Sequence, residues 1–124
     1  MYDTYQDPLI LVVDDEPLIR MLAVDLARDA HCAALEASNA AEALSLLETR
    51  SDIRLVLTDI DMPGGMDGVE LARTIMERWP QVRVVIASGS GRLARRQSLP
   101  DTIRVFPKPY ACNEMVSHLQ SMVS

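Results

Sequence analysis

Aromatic residues are scarce in this chain of 124 residues: one Phe, one Trp and three Tyr. A fold built on aromatic stacking, or a stacking platform for single-stranded nucleic acid, has little to work with. There are two cysteines, Cys32 and Cys112, far apart and without CxxC spacing. That argues against a disulfide scaffold or a zinc site and for small buried apolar residues in a reducing compartment. No apolar run approaches the length of a membrane span, and the first residues, MYDTYQDP, lack the basic start of a secretory signal. Basic charge is also in deficit. Twelve Lys and Arg face eighteen Asp and Glu, a formal charge of −6. Nucleic acid and anionic membrane are therefore not expected as partners, although Arg92, Arg95 and Arg96 form a local basic group. Repeats, low-complexity tracts and Ser/Gly-rich linkers are missing as well. A single domain over residues 1–124, with its core at about 8–122, is expected in the cytoplasm.

What is present is a core-forming composition, 48% hydrophobic, organised as short apolar runs alternating with helical patterns. Leu9–Val13 reads as a strand buried on both faces. Asp14-Asp15-Glu16-Pro17 starts a helix running to about Arg28, with Leu18, Met21, Leu22 and Leu26 on one face. Cys32–Ala37 reads as a strand, and Ser38 or Asn39 caps a helix ending near Thr49. Ile53–Leu57 is a strand ending at Thr58-Asp59, followed by a Gly-, Met- and Pro-rich loop. Val69–Trp79 is an amphipathic helix stopped by Pro80, with Trp79 anchoring its end. Val82–Ala87 is a strand closed by Ser88-Gly89, and Arg92–Gln97 a short helix. Ile103–Phe106 is a strand entering Pro107-Lys108-Pro109, and Asn113 caps a last helix. Such alternation predicts an α/β fold, doubly wound, with a parallel sheet and helices on both faces.

In open parallel sheets, ligands bind beyond the carboxyl ends of the strands. Those ends carry a matched set here: Asp14 and Asp15, then Asp59, Ser88 and Lys108. Singly, each has a plainer reading as a cap, a turn residue or solvated surface. Together they describe one chemistry. Crowded carboxylates repel and call for a hard cation, and Mg²⁺ accepts carboxylates while completing its shell with water and phosphate oxygens. Asp59 can then act as a nucleophile toward phosphorus, giving an aspartyl phosphate. Lys108 and Ser88 would meet the remaining phosphoryl oxygens.

The segments LILVVDDEP (9–17), LVLTDIDMPGGMDGVELA (55–72), VVIASGSG (84–91) and VFPKPY (105–110) resemble response-regulator receiver domains over nearly the whole chain. The resemblance implies a flavodoxin-like sheet of five parallel strands, order 2-1-3-4-5, with five helices. It implies Asp59 as phosphoacceptor, Asp15 as a direct Mg²⁺ ligand, Asp14 acting mainly through water, and Asp61 contributing its backbone carbonyl. Ser88 matches the hydroxyl residue that follows phosphorylation, Lys108 the phosphate-binding lysine, and Pro109 a proline held in a cis peptide. A histidine kinase or histidine phosphotransfer protein is the implied donor, and an unnamed protein the downstream target. A monomer or weak dimer is expected. The chain would assist its own phosphorylation and dephosphorylation without being an enzyme on a separate substrate.

Two features depart from the family pattern. Two residues, Gly64 and Gly65, separate MP from MDG where many receivers have one. The usual switching aromatic is replaced by Val105, with Phe106 beside it and facing the other way. The output surface is therefore expected at the loop after Ser88 and the Arg92, Arg95 and Arg96 helix, with Val105, Phe106 and Tyr110 as neighbours. The acidic side chain of Asp61 bears either on phosphoryl lifetime or on nothing beyond loop solvation. His31 and His118 read as surface residues. The run LVLTDIDM also resembles the nucleophile motif of haloacid-dehalogenase-type phosphatases, but there the second acidic pair follows the lysine, whereas here it precedes Asp59. A receiver-like binding module that takes no phosphate is opposed by the retention of all five chemical positions. A receiver excised from a hybrid kinase is the third alternative. Met1 and the lack of a linker after the last helix favour a stand-alone protein.

Overall fold

The computed structural model describes residues 7–60, 66–88, 104–107 and 112–123. Strands and helices alternate from the start: β1 (Leu9–Val13), α1 (Pro17–Asp29), β2 (Ala33–Ala37), α2 (Ala40–Thr49), β3 (Ile53–Asp59), α3 (Gly68–Arg78) and β4 (Arg83–Ser88). Strand β5 (Arg104–Pro107) and helix α4 (Cys112–Val123) complete the described elements. The expected strands all form, within a residue or two at their ends. All pairings are parallel and the order is β2-β1-β3-β4-β5, as expected. Four helices lie among the described residues, whereas the short helix expected over Arg92–Gln97 falls outside them.

Side chains alternate across the sheet and so build two cores. Ile10, Val12, Leu55, Leu57, Val85 and Ala87 face α1 and α4. Leu11, Val13, Val56, Val84 and Ile86 face α2 and α3. This double burial is why the central strands read as unbroken apolar runs rather than as alternating ones.

Helix α1 corrects one expectation. Its buried residues are Ala23, Val24, Leu26 and Ala27. Leu18 is 78% exposed, Met21 58% and Leu22 38%. Of the face read from the sequence, only Leu26 is buried. The segment carries two apolar stripes at helical spacing. The sheet takes the one containing Ala23 and Ala27, because small side chains let the helix axis approach the strands closely. The larger stripe is left on the outside.

The other helix ends follow local chemistry. Asn39 is the N-cap of α2, its side chain accepting the Glu42 N–H at 2.8 Å, while the Glu42 carboxylate accepts the Ser38 N–H at 2.8 Å. That backbone hydrogen bond holds the Glu42 carboxyl below its usual range. Asp67 caps α3 in a reciprocal box with Glu70. Trp79 closes α3, packed against the α2/α3 core, with the Arg78 guanidinium 4.3 Å from its ring centroid. Asn113, expected as a cap, instead lies one residue inside α4. His31 is exposed and follows α1 with a φ of 62°, a left-handed conformation that reverses the chain into β2. Cys32 is buried and free, and burial pushes its thiol up from the usual value.

Candidate functional site

The parallel register delivers the strand ends to one rim. Val13 pairs with Thr58, so Asp14, next along the chain, comes beside Asp59. Asp59 pairs with Ala87, the residue before Ser88, and Ser88 pairs with Pro107, the residue before Lys108. Asp14, Asp59 and Ser88 thus stand at, or one step beyond, a strand terminus, and Asp15 follows Asp14.

At the centre are Asp14, Asp15 and Asp59. Each offers a carboxylate oxygen lying within 4.8 Å of the other two. Asp14 is 1% exposed and Asp59 5%, while Asp15 is open to solvent. Among the described residues, the buried polar side chains are Asp14, Thr58 and Asp59 alone. Burial of charge is costly and is kept where it serves a purpose. Three carboxylates at this spacing repel one another, and a cation between them would offset that repulsion. An all-oxygen donor set, part buried and part solvated, fits a hard divalent cation rather than a soft one.

The surrounding backbone holds this geometry. The Asp14 N–H donates to the Ala37 carbonyl at 3.1 Å, and the Glu16 N–H donates to the Asp14 carboxylate at 2.9 Å. The Arg20 guanidinium donates to the Asp14 carbonyl at 2.8 Å and to the Glu36 carboxylate at 2.9 Å. Beyond β3, the Ile60 N–H donates to the Ala87 carbonyl at 2.9 Å, extending the β3–β4 pairing past Asp59. The Thr58 hydroxyl donates to the Asp59 carbonyl at 3.0 Å.

Helix α3 starts against this same backbone. The Gly68 N–H donates to the Ile60 carbonyl at 3.0 Å. A Cβ at Gly68 would lie 2.1 Å from the Asp59 carbonyl oxygen and 2.8 Å from the Ile60 Cα. Only glycine permits this approach, which explains the last letter of the MDG motif. Met66, its first letter, packs partly buried against the α2/α3 core.

Of the residues singled out in the sequence, Asp14, Asp15 and Asp59 are brought together. Ser88 ends β4, and Val105 and Phe106 lie in β5, paired with Ile86 and Ala87. Asp61, Gly64, Gly65, Arg92, Arg95, Arg96, Lys108, Pro109 with its expected cis peptide, and Tyr110 lie outside the described residues. Sequence reasoning missed Arg20, which looks like any helix-surface cation. It also missed the Asp67–Glu70 capping box, for which the spacing D-x-x-E was an available signal.

Comparison with known proteins agrees with this geometry. The response regulator receiver domain pattern matches residues 10–120. The chain is 27% identical over 117 residues to sensor kinase CckA of Brucella abortus, covering 92% of this chain and 12% of that protein. It is 29% identical over 116 residues to the response regulator receiver protein CpdR of the same organism, covering 92% and 95%. A response regulator receiver domain protein from Clostridium thermocellum superposes with a TM-score of 0.83 at 26% identity, covering 93% of each chain. The chain thus spans about an eighth of one relative and nearly all of another. A matching pattern over most of the chain, a shared parallel sheet and acidic residues gathered at its strand ends lead to one conclusion: the chain belongs to the response regulator receiver domain family, the phosphoacceptor modules of two-component signalling.

Proposed function

We propose that Asp59 accepts a phosphoryl group from a phosphohistidine on a histidine kinase or phosphotransfer protein. The observation that carries this reading is the convergence of Asp59 with Asp14 and Asp15 at the strand ends, with two of the three carboxylates buried. An Asp59 carboxylate oxygen attacks phosphorus, a P–O bond forms as the P–N bond to histidine breaks, and the electron pair returns to the imidazole nitrogen. Mg²⁺ held by the carboxylates of Asp14, Asp15 and Asp59 and the backbone carbonyl of Asp61 would supply charge that offsets repulsion between the acidic side chains and the phosphoryl oxygens. The Lys108 ammonium and the Ser88 hydroxyl take the remaining phosphoryl oxygens, with Pro109 shaping the chain beside Lys108.

The donor protein docks on the apolar stripe of Leu18, Met21 and Leu22. That stripe is exposed and begins three residues after Asp15, so a partner covering it comes up beside the acidic site. Phosphorylation then alters the surface around Arg92, Arg95, Arg96, Val105, Phe106 and Tyr110, which a downstream protein reads. The chain acts as one receiver unit in the cytoplasm, as a monomer or weak dimer. It assists its own phosphorylation and hydrolysis and turns over no separate substrate.

The test is intact mass spectrometry after incubation with acetyl phosphate, with and without Mg²⁺, beside Asp59→Asn. The expected result is one base-labile phosphoryl adduct that needs Mg²⁺ and is lost in the variant. An equal adduct on Asp59→Asn overturns the assignment. So does no adduct from either acetyl phosphate or a phosphohistidine donor. Sustained phosphate release without an adduct would instead support a phosphatase.

A further inference from the structure

Arg20 lies on the first full turn of α1, yet its side chain is only 19% exposed. Its guanidinium makes two contacts with different strand ends. Nη1 donates to the Asp14 carbonyl, just past β1, at 2.8 Å. Nε donates to the Glu36 carboxylate, near the end of β2, at 2.9 Å. Its own N–H donates to the Glu16 carbonyl at 2.9 Å, and the Glu16 N–H donates to the Asp14 carboxylate at 2.9 Å.

These bonds form a closed ring. It runs from the Asp14 carboxylate to the Glu16 N–H, from the Glu16 carbonyl to the Arg20 N–H, and from the Arg20 guanidinium back to the Asp14 carbonyl. The peptide inside the ring joins Asp14 to Asp15, and the carboxylates on either side of it face Asp59. A planar guanidinium can serve two acceptors at once with little loss of freedom. From this ring and the burial of Arg20 we infer that Arg20 is a positioning residue of the cation site: it presets the Asp14–Asp15 turn so that both carboxylates converge before a cation arrives. The inference rests on the proposed cation-binding role of the three carboxylates.

The effect opposes simple electrostatics. A positive charge near the site repels a dication, so loss of charge alone tightens Mg²⁺ binding. Loss of positioning weakens it, because the carboxylates must then be ordered against their own repulsion. The two accounts predict opposite signs.

The experiment measures Mg²⁺ affinity by isothermal titration calorimetry, with no phosphodonor present. Wild type is compared with Arg20→Ala, Arg20→Met, Arg20→Lys and Glu36→Gln, each at a temperature where urea unfolding shows it native. Arg20→Ala and Arg20→Met are expected to raise the Mg²⁺ Kd roughly tenfold, the scale seen when groups that orient metal ligands are removed. Arg20→Lys should recover most of that loss by restoring one donor to the Asp14 carbonyl. Glu36→Gln, which leaves the ring intact, should stay within about twofold of wild type. The Glu16 amide resonance of the metal-free protein should shift in the Ala and Met variants and not in Glu36→Gln.

Arg20→Met retains the apolar stem and answers the question if Arg20→Ala does not fold. Mg²⁺ affinity in the folded Met variant equal to or tighter than wild type overturns the inference and leaves Arg20 as a brace between α1 and the sheet. Absence of Mg²⁺ binding in wild type itself overturns instead the cation-site reading beneath it.

Discussion

Gly68 and His31 occupy opposite extremes of backbone demand. At Gly68 the obstacle is space: an added methyl meets the Asp59 carbonyl and the Ile60 Cα, neither of which can swing aside as a side chain tip would. Gly68→Ala should therefore push α3 away from β3 and cost about 1–3 kcal/mol, the usual range for overpacking. It should also slow phosphorylation by acetyl phosphate, since the displaced backbone belongs to the proposed acceptor. Urea unfolding and time-resolved mass spectrometry check the two effects. At His31 the obstacle is the residue itself, which holds a φ of 62° after α1. His31→Gly removes a steric penalty and is expected to raise stability by up to about 1 kcal/mol, the lower end of the left-handed cost for a residue with a Cβ. A lower urea midpoint would mean that the histidine side chain contributes more than its backbone costs.

At the scale of elements, α1 shows how periodicity can be right about a helix and wrong about its face. The spacing of Leu18, Met21, Leu22 and Leu26 fits a buried stripe, but so does that of Ala23, Val24, Ala27 and Ala30. Hydrophobic bulk favours the first, whereas close approach to β1 and β3 favours the second. Opposite responses to substitution follow. Met21→Glu should change stability by no more than about 0.5 kcal/mol, as for other surface sites. Ala27→Leu should destabilise by about 1–3 kcal/mol through overpacking. Chemical denaturation of the two variants decides which stripe faces the sheet. The same Met21→Glu variant bears on donor docking. Phosphorylation by acetyl phosphate should be unchanged, while transfer from a phosphohistidine protein active on wild type should slow about tenfold, equivalent to about 1.4 kcal/mol of lost contact.

Across the whole molecule, the parallel sheet gathers three carboxylates at one corner. Two buried carboxylates and a third beside them repel one another where no cation lies between them. Asp59→Asn should therefore stabilise the metal-free protein by about 1 kcal/mol or more, given the size of charge–charge energies at this spacing. That corresponds to a midpoint rise of about 3–6 °C for a domain of this size. Added Mg²⁺ should stabilise wild type in proportion to the logarithm of its concentration and should affect the variant much less. Thermal melts in EDTA and across an Mg²⁺ series test this. A wild-type midpoint insensitive to Mg²⁺ would argue that the corner is relieved by its hydrogen bonds.

The sequence alone was sufficient for the alternation of strands and helices, the parallel sheet and the placing of Asp14, Asp15 and Asp59 at strand ends. These follow from local runs, turn residues and the rule that parallel strands share a carboxyl edge, all of which leave marks on neighbouring letters. Tertiary structure decided the face of α1, the role of Arg20 and the need for glycine at position 68. None of these has a local mark. Ala23 and Ala27 outrank larger residues only once a sheet lies beneath them, and Arg20 becomes distinctive only when Asp14 and Glu36 arrive from two strands. Gly68 is required only because α3 begins against the carbonyl of Asp59. A chain writes its elements in short-range patterns, but the distance between two of them is set by packing, and these assignments depend on that distance.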